Sequence, residues 1–131
     1  MDWGVVASGQ RLMEVRNRDR ADAFTTLDGS TIRVLLDAEL GGASEQSLAE
    51  ATLAPGGGTR RHYHARTEEI YVVLEGSGRM EVDGDVRDLA AGDVVLIPPQ
   101  AWHEIRAGDG GELRFLCCCA PAYSDEDTFF E

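Results

Sequence analysis

The sequence predicts an all-β protein, an antiparallel sandwich or small barrel with little helix. Three observations carry that prediction. From about residue 30 onward, β-branched and apolar residues gather in short runs. Each run is punctuated by glycine, proline or Asp-Gly. Helical signal is confined to Ser8 to Arg20, room for a turn or two.

Taken in order, the first strand is Ile32 to Leu36, a β-branched and apolar run. Ser47 to Leu53 alternates more weakly. Then follow Arg60 to His64, Glu69 to Glu75, Gly78 to Val82, Val86 to Leu89, Val94 to Pro98, Trp102 to Arg106 and Leu113 to Ala120. Asp28-Gly29, Asp83-Gly84 and Asp109-Gly110 suit tight turns, because both residue types tolerate positive φ. Gly76-Ser77-Gly78 marks a further hairpin. Seven to nine short strands at this spacing are about what a sandwich or small barrel needs. The predicted organisation is an N-terminal arm over 1–30, a barrel domain over 31–122 and an acidic, surface-lying C-terminal tail over 123–131.

Composition narrows the function. At 131 residues the chain has room for one core. The net charge is −12, which argues against nucleic acid and against anionic membrane surfaces as partners. No apolar run reaches the roughly 18 residues that cross a bilayer. The N-terminus lacks a signal-peptide layout, so a cytoplasmic protein is expected. All 12 basic residues are arginine, which excludes a catalytic lysine on this chain. The 3 cysteines are consecutive, Cys117 to Cys119, without the spacing of a metal finger or a disulfide framework. They read as small hydrophobes in a buried strand.

Of the 3 histidines, two form His62-Tyr63-His64. Side chains two apart diverge on a helix and share a face on a strand, so this pair chelates only if the backbone is extended. The flanking Thr59, Tyr63 and the Gly56 to Gly58 run favour extension. Glu68 and Glu69 follow within reach, and His103 opens another predicted strand. Three imidazoles and a carboxylate suit one divalent ion among Mn, Fe, Ni, Co, Cu and Zn. Four protein ligands leave two positions of an octahedral ion for water, substrate or O₂.

The residue order is more specific than the residue count. Gly56-x5-His62-x-His64-x4-Glu69-x6-Gly76 resembles the first motif of the cupin superfamily at every fixed position. Gly92-x5-Pro98-x-Gln100-x2-His103 resembles the second, with Gln100 and Ala107 departing from its common residues. The likeness spans roughly residues 44 to 120 and is nearest to small single-domain conserved-barrel cupins, the mannose-6-phosphate isomerase-like group. It implies a jelly-roll β-barrel of two antiparallel sheets, an interior metal held by His62, His64, Glu69 and His103, a pocket at one end, and a homodimer. The motif spacing favours Glu69 over Glu68.

Around such a metal, Arg60 shares the parity of the histidine pair and is a candidate clamp for a substrate anion. Gln46 and Cys117 are candidates for the barrel mouth. Glu68, Tyr63 and Tyr71 are the candidate general bases. The resulting expectation is a metal-dependent, dioxygenase-like enzyme acting on a small molecule. Its alternatives are a non-redox isomerase, epimerase, lyase or cyclase with a Lewis-acid metal, and a module that binds metal and ligand without turnover.

Overall fold

A computed structural model of the chain describes residues 13–131. Of the arm predicted over 1–30, residues 1–12 lie outside the described residues. The remainder is built into the body of the protein. Asn17 accepts a hydrogen bond from the Asp19 amide at 2.9 Å and starts a 3-10 turn, Arg18–Arg20. Strand β1 (Ala23–Thr25) then pairs antiparallel with β2 (Thr31–Leu36) across the Asp28-Gly29 turn, where Gly29 adopts φ 97°.

The chain continues through β3 (Ser47–Leu53), β4 (His62–His64), β5 (Glu68–Glu75), β6 (Ser77–Val82) and β7 (Asp85–Ala90). It ends through β8 (Val94–Ile97), β9 (His103–Ala107), β10 (Leu113–Ala120), a 3-10 turn (Asp125–Asp127) and β11 (Thr128–Phe130). Two antiparallel sheets result, with strand orders β1-β2-β3-β10-β5-β8 and β11-β4-β9-β6-β7. This is the jelly-roll barrel that the two motifs imply. Nine of the strands sit within two residues of their sequence-predicted positions, and β1 and β11 are additional.

Two glycine positions show how local sequence permits the topology. Asp83 and Gly84 both take positive φ, 47° and 87°, which closes the β6–β7 hairpin with a twist matching its strands. Gly76, at φ 88°, carries the chain from β5 in one sheet to β6 in the other. A Cβ there would overlap the Glu112 carbonyl oxygen, so the crossing depends on a residue without a side chain.

The core fills one half of the space between the sheets. Leu113 and Phe115 of β10, Val73 and Tyr71 of β5, Ile97 of β8, Ile105 of β9 and Met80 of β6 are at most 3% exposed. Beside it a cavity lies between the sheets, and His62 and His64 line it. Among the described residues no helix is long and apolar enough to cross a membrane.

The acidic tail at the surface is tied into this topology by a strand. Residues 123–131 are acidic, but they do not lie loose on the surface. β11 pairs with β4 through Thr128↔His64, Phe129↔Tyr63 and Phe130↔His62, and Thr128 is buried. The Asp127 carboxylate accepts from the Arg66 and Thr67 amides at 3.0 Å, tying down the loop between β4 and β5. The β-branched and aromatic run Thr128-Phe129-Phe130 is the sequence signal for that strand.

Candidate metal centre

His62 and His64 project from the same face of β4, as the two-residue strand period requires. His62 pairs directly with His103, the first residue of β9, and their ring centroids are 4.2 Å apart. Glu69 reaches the same point from β5 in the opposite sheet. One ligand atom from each of the four residues lies within 4.8 Å of the others, and all four side chains are buried. The structure thus brings Glu69, and not Glu68, to the histidines.

The hydrogen bonds around the rings set the protonation state. His62 Nδ1 lies 2.7 Å from the Arg60 carbonyl oxygen, and His103 Nδ1 lies 2.9 Å from that of Ala101. A carbonyl only accepts, so both Nδ1 atoms donate. His64 Nδ1 lies 3.0 Å from Thr128 Oγ1, whose own proton goes to the Ser124 carbonyl at 2.8 Å. That hydroxyl therefore accepts, and His64 Nδ1 also donates. With Nδ1 protonated, each ring in its neutral form carries its lone pair on Nε2, which faces the cluster, the tautomer a metal ligand requires.

The donor set fits a divalent cation. His64 Nε2 and His103 Nε2 lie 3.0 and 3.2 Å from Glu69 Oε1. Yet Glu69 Oε1 and His103 Nε2 have no hydrogen-bond partner, although both are sealed from solvent. Buried polar atoms at a converging point are satisfied by a cation or a proton between them, and this donor set suits a metal ion. The other carboxylate oxygen, Oε2, accepts from the Cys119 thiol at 3.3 Å.

The electrostatics follow the same logic. Burial, and then the neighbouring His103, push His62 down to about 4, which favours the neutral ligand form. Burial by itself would raise Glu69 and lower His103. Their mutual contact reverses both: His103 and His64 hold Glu69 well below the usual carboxylate range, and Glu69 raises His103.

The cluster opens into a cavity of about 340 Å³ between the sheets. Its lining includes His62, His64, Glu69, Tyr71, Cys117 and Asp28. Asp28 was not anticipated from the sequence beyond its place in a turn. Its Oδ1 accepts from Thr26 Oγ1, Ser30 Oγ at 2.6 Å and the Ser30 amide at 2.9 Å, which fixes the shape of the β1–β2 hairpin tip, and the Arg60 amide ties that tip to the barrel by donating to the Asp28 carbonyl at 2.8 Å. Tyr71 is buried against Phe115, 4.7 Å between centroids. Burial and the Glu69 charge push its phenol well above the ordinary range, so it keeps its proton at neutral pH and is a donor, not a base.

Other expected site residues lie elsewhere. Arg60 is exposed, its guanidinium 4.2 Å over the Phe130 ring. β4 begins at His62, so the strand parity does not extend back to Arg60. Tyr63 points to the outer face, stacked on Phe129 at 5.1 Å, because it alternates with the two inward histidines. Glu68 is exposed for the same reason beside inward Glu69. Gln46 is exposed just before β3, where its Oε1 accepts from Cys118 Sγ at 3.8 Å on the outer side of the sheet. Cys117 does face the cavity.

Comparison with known proteins agrees with the geometry. The family model of the cupin domain matches residues 49–119. An uncharacterized protein of Methanocaldococcus jannaschii, MJ1618, is 42% identical over 110 residues, 84% of this chain and 88% of that protein. Polyketide synthase CurC of Streptomyces cyaneus is 30% identical over 93 residues, 71% of this chain and 60% of its own length. The solved structure of the polyketide cyclase RemF from Streptomyces resistomycificus superposes with a TM-score of 0.73 at 26% identity, over 88% of this chain and 89% of that one. A jelly-roll of two antiparallel sheets, an interior His/Glu cluster capable of holding a metal and a domain match over more than half of the sequence lead to one conclusion: the chain belongs to the cupin family.

Proposed function

We propose that this protein is a metal-dependent enzyme of non-oxidative proton-transfer chemistry, a cyclisation, dehydration or isomerisation of a small enolisable molecule. The observation that carries the reading is the placement of two groups outside the ligand set, the Asp28 carboxylate and the Tyr71 phenol, on the same cavity as the cluster. His62, His64, Glu69 and His103 would hold one divalent transition metal. A bound ion supplies Lewis acidity at a substrate oxygen. Asp28 takes a proton from the carbon beside that oxygen and returns it to the product, while Tyr71, which keeps its proton, donates a hydrogen bond to the charge that develops. The apolar side of the wall, Ile32, Ala51 and Phe115, excludes water around the transfer. The likeness to a polyketide cyclase supports a reaction without net oxidation.

The test is solvent exchange. Protein loaded with zinc, which has no redox chemistry, is incubated in D₂O without oxygen with β-diketones and hydroxyketones, and C–H exchange is followed by NMR. Exchange above buffer that is lost in Asp28→Asn supports the proposal. No exchange with any of them sinks it, and tight binding without exchange turns the reading to a non-catalytic ligand module. The dioxygenase-like reading draws on a different observation, a donor set of three neutral imidazoles and one carboxylate that suits redox-active Fe or Mn. Oxygen uptake by the Fe(II) form with the same compounds separates the two.

A further inference from the structure

The cavity carries charge of one sign. Four carboxylates line it: Glu69 of the cluster, Asp28, Asp37 and Asp125. Among the described residues no arginine lines it, and the chain contains no lysine. The arginine expected to supply a cation there, Arg60, is on the outer surface over Phe130. Four negative charges outnumber the two positive charges of a divalent ion, so the loaded cavity remains negative. A phosphate or carboxylate entering it would lose water and gain no cationic partner from the walls.

Two further observations point to a ligand. His62, His64 and Glu69 line the same cavity, so a ligand in this space reaches the cluster that could hold a metal. Part-exposed aromatic rings line the same space. Phe24 and Tyr123 are 50% and 40% exposed at the lining, and Tyr123 Oη donates to Asp125 at 2.9 Å, so that ring and carboxylate present together. Aromatic faces with carboxylates beside them recognise alkylammonium and sulfonium groups, whose charge is diffuse and weakly hydrated.

We propose that the cavity takes a small organic cation, an amine, quaternary ammonium or sulfonium compound that also bears a neutral oxygen donor. The cationic group lies among Asp28, Asp37, Asp125 and the aromatic rings, and the oxygen points inward to the His/Glu cluster. This rests on the reading of the cavity as the substrate site and adds the chemical class of what enters it. The absence of a basic wall residue makes the selectivity a matter of charge, so it is measurable with non-substrates.

Calorimetric titration of the zinc-loaded protein at low salt is the test, with choline, its neutral carbon isostere 3,3-dimethylbutan-1-ol, and the anion 3,3-dimethylbutanoate as probes. The three share a branched head and differ in charge. Choline is expected to bind about tenfold tighter than the isostere, with the carboxylate weakest. Asp37→Asn/Asp125→Asn together should bring choline to within about threefold of the isostere. Asp28→Asn, which keeps the hairpin's shape, should act in the same direction. Equal binding of choline and the isostere, tighter binding of the carboxylate, or no saturable binding of choline overturns the proposal. Binding is read without turnover, so a choline preference with no proton exchange would sink the catalytic reading alone, and exchange without the preference would sink this one alone.

Discussion

Thr128→Val tests the tautomer argument on which the metal centre depends. Thr128 Oγ1 accepts the His64 Nδ1 proton at 3.0 Å and passes its own proton to the Ser124 carbonyl at 2.8 Å. Valine keeps the shape and removes both bonds. His64 is 3% exposed and Thr128 9%, so no water replaces the lost acceptor. A buried donor left unpaired costs about 1–3 kcal/mol. The cost falls mainly on the metal-bound state. Without metal, His64 escapes it by moving its proton to Nε2, which lies 3.0 Å from Glu69 Oε1. With metal bound, Nε2 is committed and Nδ1–H is stranded. Metal affinity should therefore fall about 10–100-fold, the range seen when such outer partners are removed. Competition for Zn(II) against a chromophoric chelator at neutral pH measures it, and Thr128→Ser restores the hydroxyl as a control. Affinity of Thr128→Val within twofold of the parent, or a serine variant as weak as the valine one, would refute the reasoning.

Glu69→Ala should lose stoichiometric metal, whereas exposed Glu68→Ala should retain it; elemental analysis of the purified variants decides between the neighbours. Leu113→Ala empties a core position that is 0% exposed and should cost about 2–5 kcal/mol, read as a lower urea midpoint at unchanged slope. Glu50 is 3% exposed on the sheet's outer side and accepts from the Arg18 guanidinium at 2.8–3.1 Å. The hydrogen bond from Arg18 holds Glu50 below its ordinary value, against the opposing effect of burial. A depressed carboxylate contributes stability above its unfolded value of 4.5 and loses it as pH falls through the folded one. The melting temperature of the parent should therefore drop more steeply below about pH 4.5 than that of Glu50→Gln, and parallel curves would count against the pair.

The strands were legible because each carries its own signal. Ser47–Leu53 and Leu113–Ala120 form where they are predicted, end to end, since β-branched and apolar residues favour extension and the glycines and Asp-Gly pairs end each run. The short strands β1 and β11 were not legible. Three residues are too few to establish a period, and both gain their stability from partners rather than from their own pattern. The same limit applied to Arg60, whose parity with His62 holds only where the strand is continuous.

What the sequence by itself pointed to is the cluster that could hold a metal. His-x-His on an extended backbone puts two imidazoles on one face, and the motif spacing adds Glu69 and His103. Only the tertiary structure decided how those ligands are held and what surrounds them. Thr128 acts on His64 across a separation of 64 residues, and Asp28 faces histidines that follow it by more than 30. Those contacts arise from sheet pairing and from hairpin packing, which bring distant segments together without a local pattern to announce it. Strand periodicity tells which way a side chain points within its strand. Which carboxylates, rings and hydroxyls it then meets is set by the closure of the two sheets around the cavity.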